Sequence, residues 1–226
     1  NETPDHDGKE RASVSLAQGE VMGIPSPYDD DITVYRGLPY AAGPIGELRW
    51  QPPQAAAGWD GVRVADTFAD SCFQLRHTSN FVWRREGFPV SEDCLYLNVW
   101  APDNAEDLPI MVWFHGGAHT SGQGHSLIFD GTTLAQQGVV VVTVNYRLGP
   151  FGFLAHPWLS EAAESGASGN YGLMDKIAAL SWVKDNALAM GGDPTNVTIF
   201  GQSAGSQSVC SLMVSPSAQG LSHKAI

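Results

Sequence analysis

The sequence predicts an α/β fold in one domain, and three stretches carry that prediction. "LPIMVWFHGG" (108–117) and "GVVVVTVNYRLG" (138–149) are nearly continuous apolar runs, the pattern of central strands covered on both faces. Between Asn170 and Met190 the period changes: Leu173, Met174, Ile177, Leu180, Trp182, Val183 and Leu188 recur at helical spacing. A crossover helix there, followed by the strand "NVTIF" (196–200), makes a βαβ unit.

From Ala12 to Tyr40 the chain reads as short strands broken by turns: "ASVSLAQGEVMGI", the loop "PSPYDDD", then "ITVYRGLPYA" with period-two alternation. This predicts a small antiparallel hairpin region over 1–40, at the edge of a larger sheet. A Pro/Gly-rich passage follows from Gly43 to Gly61, and "CLYLNVWAP" (94–102) is the next strand. Asn170 is placed to cap the helix, and Gly191, Gly192 and Pro194 to stop it. After "NVTIF" a second helix is expected to run to about Val214, before Pro216.

At 226 residues and 43% hydrophobic composition, the chain is long and apolar enough for one substantial core. Its formal net charge of -12 repels phosphate backbones and anionic surfaces, which argues against nucleic acid as a partner. No uncharged run approaches the roughly 20 residues of a membrane helix, and the polar start "NETPDHDGKE" is unlike a signal peptide. Cys72, Cys94 and Cys210 lack any C-x-x-C spacing, so on spacing alone three reduced, buried thiols are the favoured reading over a disulfide.

The chemistry points to Gly201-Gln202-Ser203-Ala204-Gly205, which fits G-x-S-x-G between an apolar strand and a helix. A sharp turn there lifts the serine hydroxyl to the carboxyl edge of the sheet, while small neighbours let the backbone cross closely. The bland alternative is a glycine-rich turn before an ordinary helix. An acyl-transfer site also needs N–H donors for a developing oxyanion; Ala204 supplies one, and "FHGGAHTSG" (114–122) is a second loop of the right character. His115 and His119 could be read as metal ligands, but the glycines between them oppose a shared helical face and no third ligand is apparent, so no metal is expected.

Taken together, "YRGLPYA", "LRWQPP", "SEDCLYLNVW", "MVWFHGGA", "VVVTVNYRLGPFGFL", "GNYGLMDKIAALSWVKDNALAMGGDPTNVTIFGQSAG" and "GLSHKAI" resemble, in family order from Tyr35 to the last residue, the N-terminal part of a type-B carboxylesterase. These are the cholinesterase and para-nitrobenzyl esterase branch of the α/β-hydrolases. The resemblance implies the first half of an α/β-hydrolase domain with a mostly parallel central sheet. It makes Ser203 the nucleophile, and Gly117, Ala118 and Ala204 the oxyanion donors. It implies a Cys72–Cys94 disulfide closing a surface loop over 72–94, with core strands, oxyanion loop and nucleophile turn in 95–226. A crosslink of that span stabilises by about 3 kcal/mol in the chain-entropy model and implies a secreted or periplasmic, oxidising location. The pairs Arg49 with Glu92 and Arg147 with Asp175 are implied as structural clamps. No cofactor is implied.

Two positions depart from the family pattern. Gln202 replaces a glutamate common before the nucleophile, which disfavours quaternary ammonium substrates, although Trp83 on the disulfide loop leaves an aromatic platform. His119 stands where an aromatic residue is commoner, either lining the substrate pocket or facing solvent. Cys210 is expected to pack as a small apolar side chain, and the "NVT" at Asn196 to be a strand entry, not a glycosylation acceptor.

The expected function is hydrolysis of a small-molecule carboxylic ester through an acyl-enzyme. The alternatives are a non-catalytic binding or adhesion protein on the same scaffold, or an amidase, thioesterase or transacylase using the same serine. In this family's order the acid and histidine follow the serine. After Ser203 there is no Asp or Glu and only His223, so both groups are expected on a further C-terminal part of the same protein. Without that partner, residues 1–226 are expected neither to fold stably nor to hydrolyse esters.

Overall fold

A computed structural model describes residues 13–75 and 88–226. In chain order the strands are β1 (Val14–Leu16), β2 (Gly19–Met22), β3 (Ile24–Ser26), β4 (Asp29–Pro39), β5 (Val62–Val64), β6 (Ser71–Cys72), β7 (Val90–Ser91), β8 (Tyr96–Pro102), β9 (Leu108–Phe114), β10 (Val140–Val144), β11 (Gly192–Gly201) and β12 (Lys224–Ala225). The helices are α1 (Thr132–Ala135), α2 (Gly149–Phe153), α3 (Pro157–Ala162), α4 (Tyr171–Asn186) and α5 (Ala204–Val214).

Seven strands form the central sheet in the order β12-β11-β9-β10-β8-β4-β3. It is a mixed sheet. β3, β4, β8 and β10 pair antiparallel in succession, whereas β10, β9, β11 and β12 pair parallel. The N-terminal region contributes two hairpins: β3–β4 joins the central sheet, and β1–β2 adds β5 to make a separate three-stranded sheet.

Every residue of β10 is buried, as its unbroken valine run predicts for a strand covered on both faces. Alternation divides its side chains: Val140, Val142 and Val144 join the main core with residues of α4 and α5, while Val141 joins Ile32, Val34, Trp100 and Ala135 on the opposite face.

α4 forms where the spacing places it, but its buried face is rotated from the expected one. Tyr171, Asp175, Lys176, Ala179, Leu180, Trp182, Val183 and Asn186 are buried; Leu188 lies beyond the helix and is 70% exposed. Asn170 occupies the N-cap position in a left-handed conformation with φ 61°, and its side chain makes no capping hydrogen bond. Its main-chain carbonyl instead accepts from the N–H groups of Leu173 and Met174.

Candidate active site

Strand β11 delivers the site's sharpest turn. After Gly201 and Gln202 the chain reverses at Ser203, with φ 57° and ψ -121°, and enters α5 at Ala204. The Gln202 carbonyl accepts from Gly205 N–H and the Ser203 carbonyl from Gln207 N–H, each at 3.0 Å. A non-glycine residue held at positive φ outside the usual wells costs on the order of 1–3 kcal/mol and persists only where its surroundings enforce it.

The surroundings do so by close backbone crossing. A methyl group at Gly205 would drive into the Phe114 carbonyl and lie 2.8 Å from the His115 oxygen; one at Gly201 would lie 2.6 Å from the Gly205 carbonyl carbon. Only hydrogens fit at these two positions, so the small residues of G-x-S-x-G are a steric requirement. Ser203 itself is exposed, and its hydroxyl has no hydrogen-bond partner among the described residues.

A second loop, leaving β9 at Phe114, lies against this turn. A methyl at Gly116 would come within 2.5 Å of Gln202 Oε1 and 3.1 Å of Ser203 Cβ. Gly117, Ala118 and His119 hold consecutive positive φ angles of 113°, 54° and 58°. The Gly117 carbonyl gathers Thr120 N–H at 2.9 Å, Ser121 N–H at 3.1 Å, and the hydroxyls of Thr120 and Ser121 at 3.2 and 3.3 Å.

In a trans peptide the carbonyl oxygen and the next N–H point in opposite directions. Four donors on the Gly117 carbonyl therefore fix the direction of the Ala118 N–H. By the same geometry, His115 Nδ1, 2.7 Å from the Gly116 carbonyl, sets the Gly117 N–H. A carbonyl only accepts, so this nitrogen carries the proton of a neutral imidazole; burial pushes the His115 pKa down to about 3. The N–H groups of Gly117, Ala118 and Ala204 donate to no acceptor among the described residues.

The loop is held from behind by the segment that follows β10. Tyr146 Oη donates to the His115 carbonyl and Gly149 N–H to the His119 carbonyl, both at 2.6 Å. The Tyr146 ring stacks on His115 with centroids 4.3 Å apart, and Lys176 Nζ sits 3.1 Å from the Tyr146 centroid. Lys176 is fully buried, donates to the Gly172 carbonyl, and has its pKa pushed well down by burial.

The remaining residues singled out from sequence lie as follows. The His119 ring packs against Phe153 at 4.7 Å, and its buried Nδ1 has no partner among the described residues. Burial, and then Lys176, lower its pKa. Gln202 is exposed beside the Ser203 turn, whereas Trp83 lies outside the described residues. Cys72 and Cys94 form a disulfide. Arg49 clasps Glu92 through Nε at 2.5 Å and Nη2 at 2.6 Å. Arg147 and Asp175 pair in the interior, 3% and 0% exposed. Asn196 Oδ1 accepts from Lys224 Nζ.

Cys210 departs from expectation: it is exposed, because the buried face of α5 runs through Ala204, Gly205, Ser208, Val209 and Leu212 and turns Cys210 away. No described histidine reaches Ser203. Besides His115 and His119, His125 packs on Phe68, His156 caps α3, and His223 Nδ1 accepts from Val197 N–H. No cluster of three or more potential metal ligands occurs among the described residues, and no helix among them is long and apolar enough to cross a membrane.

Sequence reasoning missed Tyr146 and Lys176 as supports of the second loop, and Gln74, whose amide bonds both main-chain groups of Gly122. A lysine inside an apolar helical stretch was the one visible signal, for Lys176.

A serine on a strained strand-to-helix turn, at the carboxyl edge of parallel strands and faced by a glycine loop with free N–H groups, defines the α/β-hydrolase class. The chain belongs to the carboxylesterase family, whose model matches residues 10–226. It is similar to the fumonisin B1 esterase of Sphingopyxis macrogoltabida, 45% identical over 92% of this chain and 38% of that protein. The para-nitrobenzyl esterase of Bacillus subtilis is 44% identical over 94% of this chain and 42% of that protein. Among solved structures, a PNB esterase superposes with a TM-score of 0.86 at 41% identity, covering 95% of this chain and 43% of that one. A Geobacillus stearothermophilus carboxylesterase gives 0.84 at 42% identity, covering 95% and 43%. The chain thus spans less than half the length of these relatives.

Proposed function

We propose that these residues supply the nucleophile and oxyanion hole of a serine carboxylesterase. The observation that carries the reading is the close contact of Gly116 with Gln202 and Ser203, which lays the loop whose Gly117 and Ala118 N–H groups have no acceptor among the described residues against the turn that carries the exposed Ser203. Ser203 Oγ attacks the ester carbonyl; Gly117, Ala118 and Ala204 N–H stabilise the tetrahedral oxyanion; the alcohol leaves; and water releases the acid from the acyl-serine. The N–H of Ala204 opens α5, so the helix dipole adds to the stabilisation.

The proton moves through a histidine and a carboxylate outside the 226 residues, since no described imidazole approaches Ser203 and the relatives are more than twice as long. Relatives named as fumonisin B1 esterase and para-nitrobenzyl esterase support a carboxylic ester as substrate. Gln202, a neutral amide next to Ser203 in the chain, favours an uncharged ester over a quaternary ammonium one. The Cys72–Cys94 disulfide supports a secreted or periplasmic location.

An organophosphonate tests the assignment on the intact protein. It is expected to label Ser203 stoichiometrically and abolish ester hydrolysis, while Ser203→Ala lowers kcat by several orders of magnitude. An active protein whose Ser203 stays unlabelled overturns the reading.

A further inference from the structure

The far end of the oxyanion loop is gripped by a single side chain from the disulfide segment. Gln74 Nε2 donates to the Gly122 carbonyl at 2.8 Å and to the Cys72 carbonyl at 3.0 Å, while Gln74 Oε1 accepts the Gly122 N–H at 2.8 Å. Both main-chain groups of Gly122 are therefore satisfied by one amide, and both hydrogens and the oxygen of that amide are used.

Gly122 occupies a consequential place. Its φ is 113°, and a methyl there would strike His115 Nδ1 and lie 2.6 Å from the Gly116 carbonyl oxygen and 2.9 Å from His115 Cε1. Its backbone is thus wedged directly behind the hydrogen bond between His115 Nδ1 and the Gly116 carbonyl. That bond sets the plane of the Gly116–Gly117 peptide and hence the direction of the Gly117 N–H.

We propose that Gln74 is a positioning residue for the oxyanion hole, carrying the anchorage of the Cys72–Cys94 disulfide through Gly122 and His115 to the Gly117 N–H. The inference rests on the esterase reading above and extends it to a residue outside the reacting set. Releasing the amide frees Gly122, relaxes the His115 ring and lets the Gly116–Gly117 peptide rotate. The penalty falls on the tetrahedral state, which needs the N–H, and spares the ground-state ester, which hardly uses it.

The test uses Gln74→Met, which keeps the side-chain length without the hydrogen bonds, alongside Gln74→Ala, in the intact enzyme with a para-nitrophenyl ester. Loss of a single oxyanion donor typically costs about 10²–10³ in kcat. Both variants are expected to lower kcat by roughly 10- to 100-fold with KM within about twofold, because the donor is misdirected and not removed. Affinity for a trifluoromethyl ketone, whose hemiketal oxygen occupies the hole, should fall by the same factor, and Gly122 amide exchange should accelerate. If Gln74→Met matches wild type while Gln74→Ala does not, the amide acts by bulk alone and the proposal falls. It falls equally if both variants keep kcat, or if only KM rises. A wild-type protein inert to both ester and phosphonate sinks the esterase reading itself, a different result from an active wild type with unaffected variants.

Discussion

Replacing Asp175 with asparagine probes the anchorage of the sheet edge that carries the candidate site. Asp175 is fully buried and accepts from Arg147 Nε at 2.9 and 3.2 Å, Arg147 Nη2 at 2.7 Å and the Arg147 backbone N–H at 3.0 Å. An asparagine removes the charge and turns one acceptor into a donor facing the guanidinium. Arg147 then stays buried and charged, with the Gln51 carbonyl and the Tyr171 ring as its other neighbours. Breaking such a pair from one side costs about 3–5 kcal/mol, whereas replacing both partners with apolar groups is far cheaper. Urea unfolding of the intact protein at neutral pH should therefore show Asp175→Asn destabilised by about 3–5 kcal/mol at unchanged m-value. The double variant Arg147→Met/Asp175→Leu should recover most of that loss. On the proposed reading activity should fall with the single variant, because the segment that Arg147 pins also carries Tyr146 and Gly149, which hold the His115–His119 loop. A single variant within about 1 kcal/mol of wild type, or a double variant no better than the single, refutes the reasoning.

Two further outcomes follow from the same geometry. Burial holds the His115 imidazole at a pKa of about 3 against 6.5 for an exposed one, so the unfolded chain binds the extra proton first and stability is lost as pH falls from 6.5 towards 3. Between pH 7 and pH 5 this group alone should cost about 2 kcal/mol, by proton linkage, and His115→Asn should flatten the pH–stability curve by that amount; parallel curves would count against it. Gly205→Ala, which pushes a methyl into the Phe114 carbonyl, should abolish phosphonate labelling of Ser203 and lower the melting temperature by several degrees; a variant that labels at the wild-type rate contradicts the packing described.

The legible parts were those written in local pattern. The valine run of β10, the apolar run of β9 and the glycine-boxed Ser203 each carry their own constraint, because burial on both faces and close backbone crossing leave few residue choices. What escaped depends on neighbours that only the fold brings together. Lys176 looks like a solvated position in a helix, yet Tyr146 offers its ring face and Gly172 a carbonyl, so the side chain is retained inside. Leu188 and Cys210 look like core residues, yet each falls on the outward side of its element. Asn170 has the chemistry of a cap, but Gly169 and Asn170 both turn through positive φ to enter α4, so the side chain leaves the capping position. Gln74 is an unremarkable polar residue until Gly122, 48 positions away, is laid against it.

The site also has a history along the chain. Phe114 and Gly201 are register partners across β9 and β11, so the loop and the Ser203 turn meet only when a parallel pairing between residues 87 positions apart closes. Contacts of such sequence separation form late and slowly, since the loop entropy is lost before the pairing compensates. On the proposed reading, phosphonate labelling of Ser203 during refolding of the intact protein should therefore appear no earlier than the closure of this β9–β11 pairing.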